Sequence, residues 1–249
     1  MTLLASRRGL VLTCIVVAGL SAIALAGAAR LHAQATGRPP GSTYIGKAFT
    51  FKEVAPGVYH AIGTGALAVG CNASVVVNVD DVLVVDTHMS PGAAWALREE
   101  LKAITPKPVR YVVNTHWHWD HANGNQIYGP GVEIIGHEYT KRKLAAGEST
   151  SGRSWDAFIG PLPQRIEELK GRIATTTDAG ERGTLQSQLA VLENQLEGIK
   201  AITVVPPTVT LTDHLTIMRG AREIRILFLG RAHTGGDIVV CFSPPAALL

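Results

Sequence analysis

The residues with the clearest capacity for chemistry lie in one short run, Asn-Thr-His-Trp-His-Trp-Asp-His-Ala-Asn-Gly, residues 114–124. His116, His118, Asp120 and His121 fall within six positions. Imidazole nitrogen and carboxylate oxygen are zinc ligands at about 2.0–2.2 Å. In His116-x-His118 both rings can leave the same side of an extended segment. Asp120 and His121 follow at a turn and point to a neighbouring position. Four ligands so tightly spaced do not all converge on one ion. They suit two metals a few Å apart, each completed by distant residues, and such a pair can share and activate a hydroxide near neutral pH. A single histidine is more often a core or surface residue; this cluster reads as a metal site.

The elements that must hold this run are short and apolar. Val109–Val113 is a β-branched strand whose C-terminal end delivers the motif, the usual place for chemistry in an α/β sheet. Upstream, Val58–Ile62 is a strand, and Ala73–Val79 with Val82–Val85 form a hairpin turning at Asp80-Asp81. Pro91 opens a helix to about Ala103 with Ser90 as its N-cap. Val132–Ile135 predicts a strand, followed by a helix over 138–145. Strand pairs followed by strand–helix alternation indicate a layered α/β domain. Residues 161–200 differ in character. Leu162, Ile166, Leu169 and Ile173, then Leu185, Leu189, Leu192, Leu196 and Ile199, give narrow apolar seams at helical spacing. These predict a helical hairpin, packed within the chain or, alternatively, serving as an arm for a homodimer. Beyond it, strands return at 209–211, 215–218, 223–229 and 238–242, with Gly230–Asp237 between the last two.

The run His-x-His-x-Asp-His resembles the signature of the metallo-β-lactamase superfamily. Val84-Val85-Asp86-Thr87, the helix from Pro91, and Gly230-Arg-Ala-His233-Thr-Gly-Gly-Asp237 match the family pattern in order, over roughly residues 51–240. The resemblance implies an αββα sandwich with the metal site at the edge of two facing sheets. Residue by residue, it implies His116, His118 and His233 around a first zinc, and Asp120 and His121 at a second. Asp120 would also orient the attacking water, and Asp86 would support the loop and fix a ligand tautomer from beneath. The family adds strands, a helix and further ligands beyond the His233 segment, whereas this chain runs only to Leu249. We therefore expect a C-terminally incomplete domain over 51–249, with the helical hairpin as an insertion and one or two zinc ions. The implied reaction is attack of a zinc-activated hydroxide on a carbonyl of a β-lactam, lactone or thioester. The alternatives are glyoxalase II or persulfide dioxygenase-like sulfur chemistry, or a non-catalytic metal-binding remnant.

The remaining features bound the context. Arg7-Arg8 precede an uncharged run from Gly9 to Ala29, and Ala33-Gln34-Ala35 is a small-x-small cleavage pattern. Residues 1–35 are expected to be a signal peptide, which makes the protein exported, periplasmic or secreted and leaves no membrane segment after removal. Residues 36–50, rich in Gly and Pro, are expected to be a flexible lead-in. The net charge of +3 comes from Arg7, Arg8 and Arg30, so the rest of the chain is neutral. That excludes an electrostatic nucleic-acid footprint and leaves a small-molecule substrate as the expected partner. Cys71 and Cys241 are expected as separate thiols, with neither at the position of the family's ligand cysteine. His60, His137 and His214 read as structural or surface residues, and His88 as a neighbour of the site.

Overall fold

The computed structural model describes residues 37–242; the expected signal peptide lies outside them. The described chain opens with β1 (Phe49–Ala55) and β2 (Val58–Gly63), followed by β3 (Ala73–Val77) and β4 (Val82–Val85). Next come helix α1 (Pro91–Leu101), β5 (Val109–Val113), the one-turn helix α2 (Trp119–Ala122) and β6 (Glu133–His137). Four helices follow in succession with β7 after the last: α3 (Glu138–Ala145), α4 (Gly152–Ile159), α5 (Leu162–Thr175), α6 (Ala179–Lys200) and β7 (Val209–Leu211). The described part closes with β8 (His214–Arg219), β9 (Arg222–Phe228) and β10 (Ile238–Phe242).

Strands β1 to β7 form one sheet in chain order, antiparallel up to β4 and parallel from β4 to β7; β10, β9 and β8 form a second, antiparallel sheet. Two apolar layers follow from this. On one face of the large sheet, Val75, Val84 and Val112 pack under Ala93, Ala94 and Leu97 of α1. On the other, Val76, Leu83, Val113 and Ile135 meet Ile224, Ile226 and Ile238 of the small sheet. The central strands are buried on both faces, which is why β4 reads as four consecutive apolar residues rather than an alternating pattern. In the small sheet the alternation is clear: Ile224 and Ile226 point inward, while Thr216, Met218, Arg225, Val239 and Cys241 on the other side are exposed. The expected αββα layering is present as far as helix, sheet, sheet. Among the described residues this outer face carries no helix layer.

The hairpin of β3 and β4 forms with Ser74 opposite Val85 and its turn closed by Asn78 N–H donating to Asp81 O at 2.8 Å. β3 ends two residues earlier at the turn than the sequence suggested, because Asn78 and Asp81 bond across it, while β4 has the expected bounds. Ser90 caps α1 as expected, accepting from Ala93 N–H. The hairpin of α5 and α6 is present, but its seam does not pack only on itself. Asn194 and Gly198 of α6 are buried against residues 41–43 and Ser90.

That contact changes the reading of the lead-in. Asn194 Nδ2 donates to Gly41 O at 2.8 Å, and Thr43 N–H donates to Asn194 Oδ1 at 2.9 Å. Arg38 donates to Ser42, and Glu100 accepts from the backbone N–H groups of Ala48 and Phe49. Residues 38–48 are thus a fixed strap rather than a flexible segment, and β1 begins inside the range expected to be loose. Gly41 in this stretch serves close approach: a Cβ there would lie 2.3 Å from Gly198 Cα.

Candidate metal centre

The site is assembled where β4 and β5 end side by side. Asp86 follows β4 with φ +64°, and His88 has φ +66°, an uncommon conformation for residues with a Cβ and more accessible to Asp and His than to most. Such a bend costs on the order of 1–3 kcal/mol per residue and persists only when its surroundings hold it. They do. The Asp86 carboxylate is buried beneath the motif loop, accepts from Thr115 N–H at 2.8 Å and from Thr115 Oγ1 at 2.8 Å, and accepts from His121 Nδ1 at 2.8 Å. One side chain therefore ties both ends of the motif together.

A second device closes the loop. Asn114 and Asn125 exchange side-chain amide hydrogen bonds at 2.8 and 3.0 Å, both fully buried. Thr87 Oγ1 donates to Asn125 Oδ1, and Asn125 Nδ2 also donates to Val205 O. Gly124 permits this closure, because a Cβ there would stand 1.9 Å from Thr87 O. Finally, Ile238 N–H donates to Thr115 O at 2.9 Å, docking the small sheet on the motif. Asp237 accepts from Thr234 N–H and Oγ1, folding the loop that carries His233 toward His118.

The result brings five of the sequence-predicted residues into two adjacent groups, with Asp86 under both. In the first, one nitrogen from each of His116, His118 and His233 lies within 4.8 Å of the other two. His118 Nδ1 stands 3.0 Å from His233 Nε2. Two nitrogens about 2.0–2.1 Å from one tetrahedral zinc stand roughly 3.3 Å apart, so this spacing suits a shared ion. His116 Nε2 is buried with no hydrogen-bond partner, the state expected of a nitrogen reserved for a metal. In the second group, His121 Nε2 and Asp120 Oδ2 are 3.4 Å apart. The His116 and His121 rings lie 4.1 Å apart, centroid to centroid, so the two groups are neighbours.

Charge is distributed unevenly across them. Burial, then the neighbouring His121 charge, pulls His116 down to about 4; burial and the His233 ring lower His118. Both are neutral at pH 7 and offer lone pairs. Burial disfavours a charged His121, but hydrogen bonds to Asp120 and Asp86 prevail and push it up to about 12. Burial raises Asp120, but the His121 contact overrides it and leaves its carboxyl below the usual range. A cation is thus already favoured at this second position, supplied by the imidazolium itself.

The other histidines divide as the sequence suggested. His137 caps α3 by accepting from Tyr139 N–H and packs on Phe228, and His214 is exposed beside Asp213. His88 is fully buried against Phe49, with Nδ1 donating to Cys71 O at 3.0 Å; it supports the loop and cannot meet a substrate. Burial holds it down at about 4. An unfolded chain takes up a proton at this residue between about pH 6.5 and 4, while the folded one does not, so stability in that window falls with the pH. His116 contributes in the same sense. His121, raised, contributes stability fully present below about pH 6.5 and lost as the pH climbs toward 12. The metal-free protein should therefore be most stable near pH 6.5. His88→Asn, which tolerates the left-handed backbone, should flatten the acid limb of that profile. Urea midpoints in chelator at several pH values check this; an unchanged slope would remove His88 from the account.

Sequence reasoning missed three features. Cys71 stands beside His121: its sulfur, a carboxylate oxygen of Asp86 and a His121 nitrogen lie within 4.8 Å of one another. Asn125 lies one residue past the motif and escaped notice. Helix α4 brings Trp155 and Phe158 to Trp119, which stacks on Phe158 at 3.9 Å and 17°. Cys71 and Cys241 are both free, as expected. A groove of about 890 Å³ lies between the hairpin of α5 and α6 and the strap around Tyr44, and none of the metal-cluster residues lines it.

Comparison with known proteins follows the same lines. The family model described as the metallo-beta-lactamase superfamily matches residues 66–244. The chain is 25% identical over 174 residues to a linear primary-alkylsulfatase of a Pseudomonas strain, covering 68% of this chain and 30% of that protein. It is 35% identical over 80 residues to the alpha subunit of a 2,4-dinitroanisole O-demethylase of a Nocardioides strain, covering 30% of this chain and 24% of that protein. This chain therefore spans less than a third of either relative. Among solved structures, a metallo-beta-lactamase of Cronobacter sakazakii with an HARLDQ motif superposes with a TM-score of 0.51 at 15% identity, over 80% of this chain and 60% of that one, a likeness of fold alone.

Proposed function

The chain belongs to the metallo-β-lactamase superfamily, whose members are generally metal-dependent hydrolases, and on that premise we propose that it is a zinc hydrolase acting on a small electrophilic substrate. The observation that supports this reading best is the convergence of His116, His118 and His233, with Asp120 and His121 beside them. Zinc supplies, when bound, Lewis acidity that brings the ionisation of water near neutral pH and polarises the electrophile.

The chain's own residues do the rest. His116 lies at the buried floor and His233 at the exposed rim, so the site opens to solvent on the side of the His233 loop. The Asp120 carboxylate, kept ionised by His121, can accept a hydrogen bond from water at its Oδ oxygens and hold the water in line. Asp86 fixes the His121 tautomer, since its carboxylate accepts from Nδ1 and leaves Nε2 facing Asp120. Trp119, next to Asp120 in the chain, is held by stacking on Phe158.

The carbonyl of a β-lactam, lactone or thioester is our first reading for the substrate. The names of the two sequence relatives favour a second, a sulfate ester or aryl ether. A panel of nitrocefin, a γ-lactone, an acyl thioester, an alkyl sulfate and 2,4-dinitroanisole, run with zinc-loaded protein and with chelator, tests both. We expect zinc-dependent turnover of at least one carbonyl substrate. Turnover only of the sulfate or ether would transfer the assignment to the second reading. Protein that binds zinc and turns over none of them would overturn the hydrolase reading.

A further inference from the structure

We propose that Cys71 is a metal ligand, completing the second position together with Asp120 and His121. The proposal rests on the reading of the first position as a metal site and goes beyond it, because it names a thiolate from a different part of the chain.

Three observations carry it. The Cys71 sulfur lies within 4.8 Å of both an Asp86 oxygen and a His121 nitrogen, and 3.7 Å from His88 Nδ1. His121 Nδ1 is committed to Asp86, so Nε2 is the nitrogen that would bind an ion, on displacing the proton it holds toward Asp120 Oδ2 at 3.4 Å. A nitrogen at about 2.0–2.1 Å and an oxygen at about 2.0–2.2 Å from one tetrahedral zinc stand at roughly that separation. The backbone is also shaped to bring the thiol in. Gly70 has φ +87°, and a Cβ there would lie 2.9 Å from Asp120 Cβ and 3.0 Å from Met89 Cβ. Only glycine lets the chain pass this close to the second-position carboxylate immediately before the cysteine.

The cysteine is also fixed in place. Cys71 O accepts from His88 Nδ1 at 3.0 Å, and Met89 N–H donates to Val69 O at 3.1 Å. Both contacts pin the loop before β3 to the bend after β4, so the thiol is held at the base of the second group rather than swinging on a free loop. The donor set of one thiolate, one imidazole and one carboxylate is one zinc accepts, with a fourth place left open.

Cobalt(II) titration of the protein under reducing conditions tests the assignment, with Cys71→Ala and Cys241→Ala alongside. A thiolate-to-cobalt charge-transfer band in the near ultraviolet should appear with the second equivalent in the parent protein and in the Cys241 variant. It should be absent in Cys71→Ala, whose second equivalent should bind more than about 100-fold more weakly or not at all, beyond the 10–100-fold typical of losing only a supporting contact. Retention of the first equivalent shows that this variant is folded. Should it fail to fold, alkylation of the parent decides: Cys71 should react with iodoacetamide more slowly in two-zinc than in metal-free protein, and equal rates overturn the proposal. Two cobalt ions bound with no such band, or a band that persists in Cys71→Ala, also overturns it while leaving the three-histidine site standing. Binding of no cobalt at all would instead overturn the reading of the first position.

Discussion

His116→Ala should strip the three-histidine position of its ion and reduce turnover by roughly 10³-fold. The magnitude follows from the chemistry lost. Lewis-acid stabilisation of a transition state is worth several kcal/mol, and each 1.36 kcal/mol is about tenfold in rate, so about 4 kcal/mol gives that loss. His116 is the most buried of the three rings, and its Nε2 has no hydrogen-bond partner in the protein. Removing it loses one contact, Nδ1 with Thr115 Oγ1 at 3.1 Å, and that hydroxyl keeps its bond to Asp86, so the metal-free variant should stay folded, with a urea midpoint close to that of the metal-free parent. This separates loss of metal from loss of structure. Zinc content measured after gel filtration should fall by one equivalent per chain in His116→Ala and stay at the parent value in His60→Ala, a ring on β2. Equal zinc in the two variants would sink the assignment.

Asp86→Ala should have the opposite profile, with stability lost first and metal binding lost as a result. The carboxylate is buried, accepts from Thr115 and His121, and sits at φ +64°. Taking away one partner of a buried charged pair costs about 3–5 kcal/mol, and alanine at a left-handed position adds on the order of 1–2 kcal/mol. Against a typical domain stability of about 5–15 kcal/mol, that leaves a marginal or unfolded protein. Asp86→Asn should be milder. Asn tolerates the backbone and keeps one acceptor, but its amide nitrogen must then face either Thr115 N–H or His121 Nδ1. Urea unfolding of metal-free protein should rank parent, Asn and Ala in that order, and an Ala midpoint equal to the parent's would show that the motif loop does not depend on Asp86.

The order of these two effects reflects what was legible beforehand. Spacing marked His116 and His118, two apart on an extended segment, as ligands, and the family resemblance of the run around His233 added the third. Asp86 could be placed through the same resemblance, at the end of a β-branched strand. The fold's two apolar layers were legible for a related reason: β4 is a continuous apolar run, Val82–Val85, and such runs are buried on both faces. What escaped was fixed by tertiary contact. The Gly- and Pro-rich strap resembles a loose linker in composition, and only the buried Asn194 on α6 reveals what holds it. Asn125 is an ordinary polar residue until Asn114 is seen opposite it.

Cys71 is the instructive case, since a signal existed. The expected hairpin of β3 and β4 pairs Ser74 with Val85, so stepping three residues back from Ser74 arrives alongside His88, just past Asp86. A residue 15 positions before Asp86 in the chain therefore becomes its spatial neighbour through antiparallel register. Spacing along the sequence hid what counting around the turn would have shown.

The docking of Ile238 on Thr115 carries a consequence beyond the site. His116 and His118 belong to the loop at the end of the seven-stranded sheet, whereas His233 comes from the loop joining two strands of the three-stranded one. An ion held by all three is a rivet between the two sheets, and the small sheet otherwise rests on the large one through apolar packing and a few hydrogen bonds. Ligand that binds only the folded form stabilises it by RT ln(1 + [L]/Kd). The sandwich's resistance to opening then depends on the free zinc around it: the same three side chains that would equip the protein for chemistry would also let metal supply govern how long it survives.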